Sequence, residues 1–290
     1  MRLENRRPAE GINASHENPL AEFAWLVAGS LALLGAVVAA IALAAEWIAP
    51  RLPYRYEARL AARFDPVPAP KSDEARRVQA ELQALADRLA ARMALPEGMT
   101  VRVGYREEGI VNAYATLGGR TVFFRGLLAR LDSEDALAMV MAHELAHLKL
   151  RHPAAALGRG AAVGIVLSAI SADLGRAAAG ALGHAGLVTL FAFSREQERA
   201  ADAEALRVLA AEYGHVGGAI DLFEAFARLP AAQRDDHVPA IEFVRTHPLT
   251  AHRVAAAVEW AEANGVAVDG ARRPLPAAIA AVRPREERAS

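Results

Sequence analysis

The stretch His143-Glu144-Leu145-Ala146-His147 decides how the rest of this chain is read. It lies inside Asp135–Leu150, DALAMVMAHELAHLKL, a run with neither Pro nor Gly. Ser133 stands where an N-cap belongs, with Glu134 and Asp135 in the first turn; a side-chain acceptor and negative charge both favour a helix N-terminus. On that helix, residues four apart share a face, so both imidazoles reach a single ion. Glu144 lies about 100° round the same helix, near the ion's open side without being a ligand. Two neutral imidazoles, one more ligand, an open coordination position and a nearby base make a hydrolytic zinc site. The pentapeptide supplies all of this except the third ligand. His on a buried apolar face is costly when nothing satisfies it, which favours the metal reading over a chance match.

The whole chain sets bounds on this reading. Its 290 residues suffice for one large domain or two. Lys plus Arg is 33 against 34 Asp plus Glu, a balance that suggests no nucleic-acid partner. There is no Cys, so disulfides, thiolate metal sites and a Cys nucleophile are excluded. The hydrophobic share of 53% and mean hydropathy of +0.13 are high for a soluble protein.

The excess has a local source. Phe23–Ala45 carries no charge and is bounded by Glu22 and Glu46, long enough for a hydrocarbon core of about 30 Å. Trp25 and Trp47 mark its ends, where interfacial aromatics belong. A cleaved signal peptide is the rival reading, but the apolar stretch is too long, starts too late and lacks a small-residue cleavage site. An uncleaved anchor is expected at 23–49, after a flexible tail at 1–22. Arg2, Arg6 and Arg7 before it nearly balance Arg51, Arg55, Arg59 and Arg63 after it, so flanking charge does not orient it.

Five prolines in residues 50–71 suggest a linker near the membrane surface. Ser72 then caps an amphipathic helix to about Ala94, with Val78, Leu82, Leu85, Leu89 and Met93 on one stripe. Short strands are expected at Thr100–Tyr105, Val111–Leu117 and Arg120–Arg125, the last two joined by the Gly118-Gly119 turn. Pro153 closes the central helix at His152. Residues 154–193 are rich in Ala and Gly but interrupted by Arg159, Asp173, Arg176 and His184. They fit a hydrophobic helical hairpin better than two further spans, because Arg and Asp at mid-membrane are expensive. A helix from Phe193 to Tyr213 places Glu198 and Asp202 on one face. One of them can bind the metal while the other orients a ligating imidazole. Further helices are expected at 216–229 and from the Thr246-His247-Pro248 segment to about Ala263, then a loose tail over 266–290.

Taken together, HELAH, the later Ser194-Arg195-x-x-Glu198-x-x-Ala201-Asp202 and Thr246-His247-Pro248 with Arg253 resemble the M48 family of zinc metallopeptidases. The segment from Val111 through Arg125-Gly126 looks like that family's strand and hairpin ahead of the zinc helix. The resemblance covers residues 72–265 and implies an α+β, mainly α, zincin (gluzincin-like) domain with a small antiparallel sheet, preceded by one transmembrane helix. It implies one Zn2+ per chain on His143, His147 and Glu198, with Glu144 as general base. It further implies Asp202 as the carboxylate behind His143, and His247, with Arg253, as donors to the oxyanion. For His247, helix capping or packing is the alternative. The strand residues Asn112, Ala113, Tyr114 and Ala115 are candidates for pairing with an extended substrate.

The expected function is a membrane-anchored zinc endopeptidase acting on unfolded or membrane-associated proteins, with the lipid bilayer as its other partner. A single anchor is closest to the Oma1-like bacterial type, which implies the inner membrane and a domain facing the periplasm. A membrane-tethered chaperone or binding module with a latent or structural zinc site is the alternative, since His247 or the 154–193 hairpin is placed to close the fourth coordination position.

Overall fold

The computed structural model describes residues 18–48, 51–63, 67, 69–160, 171, 193–227, 243, 247 and 252–282. The expected hairpin at 154–193 falls outside them, except at 154–160, 171 and 193.

Helix α1 spans Pro19–Ile48. Over Pro19–Ala45 its mean hydropathy is 2.5 and none of that window is buried, so it is long and apolar enough to cross a membrane. A short helix α2, Tyr54–Ala61, follows, and it buries Glu57 and Ala61. The segment read as a linker is thus partly docked on the domain.

The domain is built round the helix of the HELAH motif. Helix α3, Asp73–Ala90, starts at Ser72, whose side chain accepts from Ala75 N. Its apolar stripe is buried, and it packs on both the central helix and the first strand. It ends four residues earlier than the periodicity suggests, because the chain turns at Ala91–Arg92 ahead of Pro96. Strands β1 (Arg102–Arg106), β2 (Ala113–Thr116) and β3 (Arg120–Phe124) form a sheet of order β1-β3-β2. The Gly118-Gly119 turn makes β2 and β3 antiparallel, with Tyr114 opposite Val122. The sheet is not purely antiparallel, however. β1 lies on the other side of β3 and pairs with it in parallel, Gly104 opposite Val122. The hairpin occupies only one edge of β3, and the stretch 107–112 carries the chain across to start it.

A short helix α4, Arg125–Leu128, leads to α5, Glu134–Lys149, in which every residue from Glu134 to Leu148 is buried. A helix apolar all round belongs at the centre of a fold. Here α3, β2, β3 and two later helices cover it. Those are α6, Arg195–Tyr213, and α7, Gly217–Ala227; α8, His252–Ala263, packs on both of them. The close approach of α7 has a visible cause. A Cβ at Gly218 would collide with the Asp135 backbone carbonyl on α5.

The expected loose tail is a correction over 266–282. Glu134 N donates to Arg273 O at 2.9 Å, and Arg273 N donates to Asp135 Oδ2 at 2.7 Å. Helix α9, Ala277–Ala281, buries Ile279 against α3, and Glu81 accepts from the Ala278 and Ile279 amides. The segment therefore caps the start of α5 and covers α3. Its prolines mark extended chain rather than loose chain.

Candidate metal centre

Two i, i+4 pairs meet where α5 packs on α6. A reciprocal capping box starts α6: Ser194 Oγ accepts from Gln197 N, and Gln197 Oε1 accepts from Ser194 N. This fixes the first turn and sets Glu198 against the two histidines. His143 Nε2 and His147 Nε2 are 3.0 Å apart. Glu198 Oε2 lies 3.4 Å from the first and Oε1 3.4 Å from the second.

The far sides of both rings are engaged as well. Asp202 Oδ1 is 2.9 Å from His143 Nδ1, and His152 Nδ1 is 2.8 Å from His147 Nδ1. Phe193 stacks on the His147 ring, centroids 4.0 Å apart and planes 20° apart. His247 completes the group, with Nδ1 3.0 Å from Glu198 Oε1 and 3.2 Å from His143 Nε2.

These hydrogen-bond roles test whether a metal fits. A neutral imidazole has one N–H. If the Nδ1 hydrogens of His143 and His147 point outward to Asp202 and His152, both Nε2 atoms present lone pairs inward. Together with the Glu198 carboxylate they form a buried group of acceptors, faced among the described residues by His247 Nδ1, an arrangement that suits a cation. One ligand atom from each of His143, His147, Glu198 and His247 lies within 4.8 Å of the others, so the cluster can hold one metal ion.

The electrostatics agree. Burial opposes a charge on His143, yet its bonds to Asp202 and Glu198 and their negative charges outweigh this and raise its pKa to about 10. Without a metal, a proton is thus held where the cation would sit. His147 goes the other way: burial drives its pKa well below the ordinary value despite the Glu198 hydrogen bond. Burial also lowers His152, to about 4, so it is neutral and able to accept from His147. Burial alone would raise Glu198, but His247, His143 and His147 hold it far below the usual carboxylate range. Asp202 is likewise lowered: burial opposes its charge, and the His143 hydrogen bond and Arg253 prevail.

Glu144 is completely buried beside this cluster but is not one of its four donors. Among the described residues neither of its oxygens is satisfied at close hydrogen-bond distance: Oε1 lies 3.4 Å from His247 Nε2, and the Ala115 backbone on β2 acts on the carboxylate weakly. Burial raises its pKa, with His247 and His143 acting against the rise. A buried carboxylate kept short of partners is a base waiting for a proton donor.

Residues 76–261, more than half of the chain, match the family model for peptidase family M48. This chain belongs to that family. It is 34% identical over 151 residues to the mitochondrial metalloendopeptidase OMA1 of Schizosaccharomyces pombe, covering 51% of this chain and 43% of that protein. It is 31% identical over 155 residues to the beta-barrel assembly-enhancing protease of Escherichia coli, covering 50% of this chain and 31% of that one. The chain spans less than half the length of these relatives.

The structure brings His143, Glu144, His147, Glu198, Asp202 and His247 into one cluster. Arg253 reaches it only at second hand: it forms an ion pair with Asp202, and its guanidinium lies 4.5 Å over the Phe223 ring. Asp202 takes only Nη2, so the expectation that Arg253 joins His247 at the oxyanion stands as a proposal. Of the candidate substrate strand, Ala113–Thr116 is an edge of the sheet, and β2 packs on α5. His152 and Phe193 are additions that the sequence reading missed. His152 sits five residues after His147, a spacing that lies off the ligand face of a continuous helix. The only signal was a His just before Pro153, which the sequence places at the end of the helix but which in the structure stands in the first turn of the next helical stretch, α5 having ended at Lys149.

Proposed function

We propose that this M48 domain is a zinc-dependent endopeptidase held at a membrane by α1 and acting on unfolded or membrane-associated proteins. The observation that carries the reading is the buried acceptor cluster of His143, His147 and Glu198 with the poorly satisfied Glu144 carboxylate beside it. These three residues would hold Zn2+, one ion per chain, which when bound polarises a peptide carbonyl and lowers the pKa of water.

The chain's own groups do the rest. Asp202 and His152 fix the two imidazoles through Nδ1, so that both Nε2 atoms face inward. Glu144 accepts a proton from water at its carboxylate and returns it to the leaving amine. His247 Nε2, on the Glu144 side of the cluster, is placed to donate to the oxyanion. Arg253 orients Asp202. The edge of β2, from Asn112 to Ala115, offers backbone groups to an extended substrate, which gives affinity with little sequence preference. We further place the domain on the periplasmic face of a bacterial inner membrane, by fold-level analogy alone.

One observation favours a second reading. His247 lies among the four potential donors, and with it as fourth ligand the site would be closed, as in a latent enzyme or a tethered binding module. Digestion of an unfolded test protein by the zinc-loaded chain, beside Glu144→Gln, separates the two. Cleavage by the unmodified chain alone supports the peptidase. No cleavage by either, with zinc bound, favours the closed site.

A further inference from the structure

We propose that Glu57, on the membrane-proximal helix α2, is a positioning residue for the metal centre, acting through Arg151 and His152. The inference rests on the reading of His147 as a metal ligand and extends the centre to a residue only nine positions beyond the anchor helix.

The chain of contacts is short. Glu57 is 8% exposed. Its Oε2 accepts from Arg151 Nε at 2.6 Å, both side chains being 5% exposed, and Arg151 Nη1 donates to Leu52 O at 3.0 Å. Arg151 has φ +60°, the one non-glycine residue with positive φ among those described. Side chains rarely adopt that left-handed conformation. It falls where α5 ends, and helical structure resumes over 152–160.

That single residue redirects the chain. On an unbroken helix, the residue five positions after His147 would sit about 140° round the axis. After the left-handed turn, His152 instead comes back to place Nδ1 2.8 Å from His147 Nδ1. Glycine would adopt this turn freely. Here an arginine adopts it, and its guanidinium is held in the Glu57 carboxylate. The clamp holds the turn, the turn aims His152, and His152 sets the ring of His147.

The second Glu57 oxygen extends the link. Oε1 accepts from Gly118 N at 2.8 Å in the β2–β3 turn. Gly118 has φ +77°, and a Cβ there would meet Ala61 Cβ at 2.5 Å, so α2 sits directly on the hairpin. One carboxylate thus ties the segment leaving the anchor both to the end of the HELAH helix and to the hairpin that carries the edge strand. The competing account is a buried ion pair serving stability alone.

The test uses the full chain in detergent, kept well below the melting temperature of each variant. Zinc affinity is read by competition with a chromophoric chelator, and site geometry by the visible spectrum of the cobalt(II)-substituted protein. Glu57→Gln should weaken zinc binding about tenfold, and Arg151→Ala and His152→Ala about 10–100-fold, the range for losing an outer-shell partner of a ligand. All three should alter the cobalt spectrum. Glu57→Gln combined with Arg151→Gly removes both buried charges and gives the turn to glycine, so affinity should return to within about threefold of the unmodified chain. Unchanged zinc affinity and cobalt spectra in Glu57→Gln and Arg151→Ala, even with lower melting temperatures, would overturn the proposal. So would a double variant that folds but stays as weak as Arg151→Ala. An unmodified chain that binds no zinc would instead sink the metal-centre reading, and the two failures are therefore distinct.

Discussion

Glu144→Gln should inactivate the protein and stabilise it at once. The side chain is fully buried and, among the described residues, neither oxygen is satisfied at close hydrogen-bond distance. As a general base, its loss should lower kcat/KM by about 10²–10⁴-fold. Zinc affinity should stay within about threefold, because Glu144 is not among the four donors. The stability gain comes from removing a charge that burial opposes. Gln keeps the shape and still lacks partners, so only the charged part of the penalty is recovered, about 2 kcal/mol. For a domain of this size that is about 4–8 °C in Tm.

The gain should also depend on pH in the metal-free protein. Burial raises the folded pKa of Glu144 above its unfolded value. Below the ordinary carboxylate range both states hold the proton and the residue costs little. As pH rises, the unfolded chain releases its proton first, and the fold loses stability until the raised pKa is passed. The Tm difference between Glu144→Gln and the unmodified chain should therefore widen as pH rises above the ordinary carboxylate range. Proteolysis of an unfolded substrate and calorimetric melts of chelated protein give both readouts. Cleavage within tenfold of the unmodified chain, or a Tm gap that is flat with pH, would refute the assignment of Glu144 as an unpaired buried base.

Other perturbations follow from the same geometry. Asp202→Asn should lower zinc affinity about 10–100-fold, as measured by chelator competition, because it weakens the hold on His143 Nδ1 and strands Arg253. Leu82→Ala empties a fully buried site between α3 and the core and should cost about 2–5 kcal/mol in denaturant unfolding. Gly218→Ala forces a Cβ against the α5 backbone at Asp135. It should cost about 1–3 kcal/mol while zinc affinity stays unchanged.

What the sequence made legible was whatever rests on local spacing. The HELAH helix, its Ser133 cap, the α3 stripe and the hairpin turn at Gly118-Gly119 all follow from periods and caps within a dozen residues. Glu198 and Asp202 were readable because a second i, i+4 pair of carboxylates complements an incomplete i, i+4 pair of imidazoles. What stayed hidden depends on how the chain folds back. The parallel β1–β3 pairing is set by which edge of β3 remains open, and composition does not record that. The Pro-rich stretches 50–71 and 266–282 hold more structure than their composition suggests, because Pro53 and Pro276 stand at the starts of α2 and α9, where proline costs no helix hydrogen bond. His152 was hidden because its position depends on one left-handed arginine, and a non-glycine residue gives no sign of positive φ.

The cluster's internal conflict makes metal removal a decisive test of the site. The two Nε2 atoms and the Glu198 carboxylate gather acceptors that a proton or a metal cation satisfies. In the metal-free fold the proton on His143 takes the cation's place, and zinc must displace it. Zinc that binds the fold and not the unfolded chain stabilises it by RT ln(1 + [Zn]/Kd), about 4 kcal/mol at a thousandfold excess over Kd, or about 8–16 °C in Tm. Glu198→Gln removes the anionic donor, so most of that increment should vanish; the metal-free Tm should fall as well, because Gln holds the His143 proton less well. Melts with zinc and with chelator, on the unmodified chain and on Glu198→Gln, give the four values needed. An increment equally large in both proteins would place the ion elsewhere and dissolve the argument that His143, His147 and Glu198 form one centre.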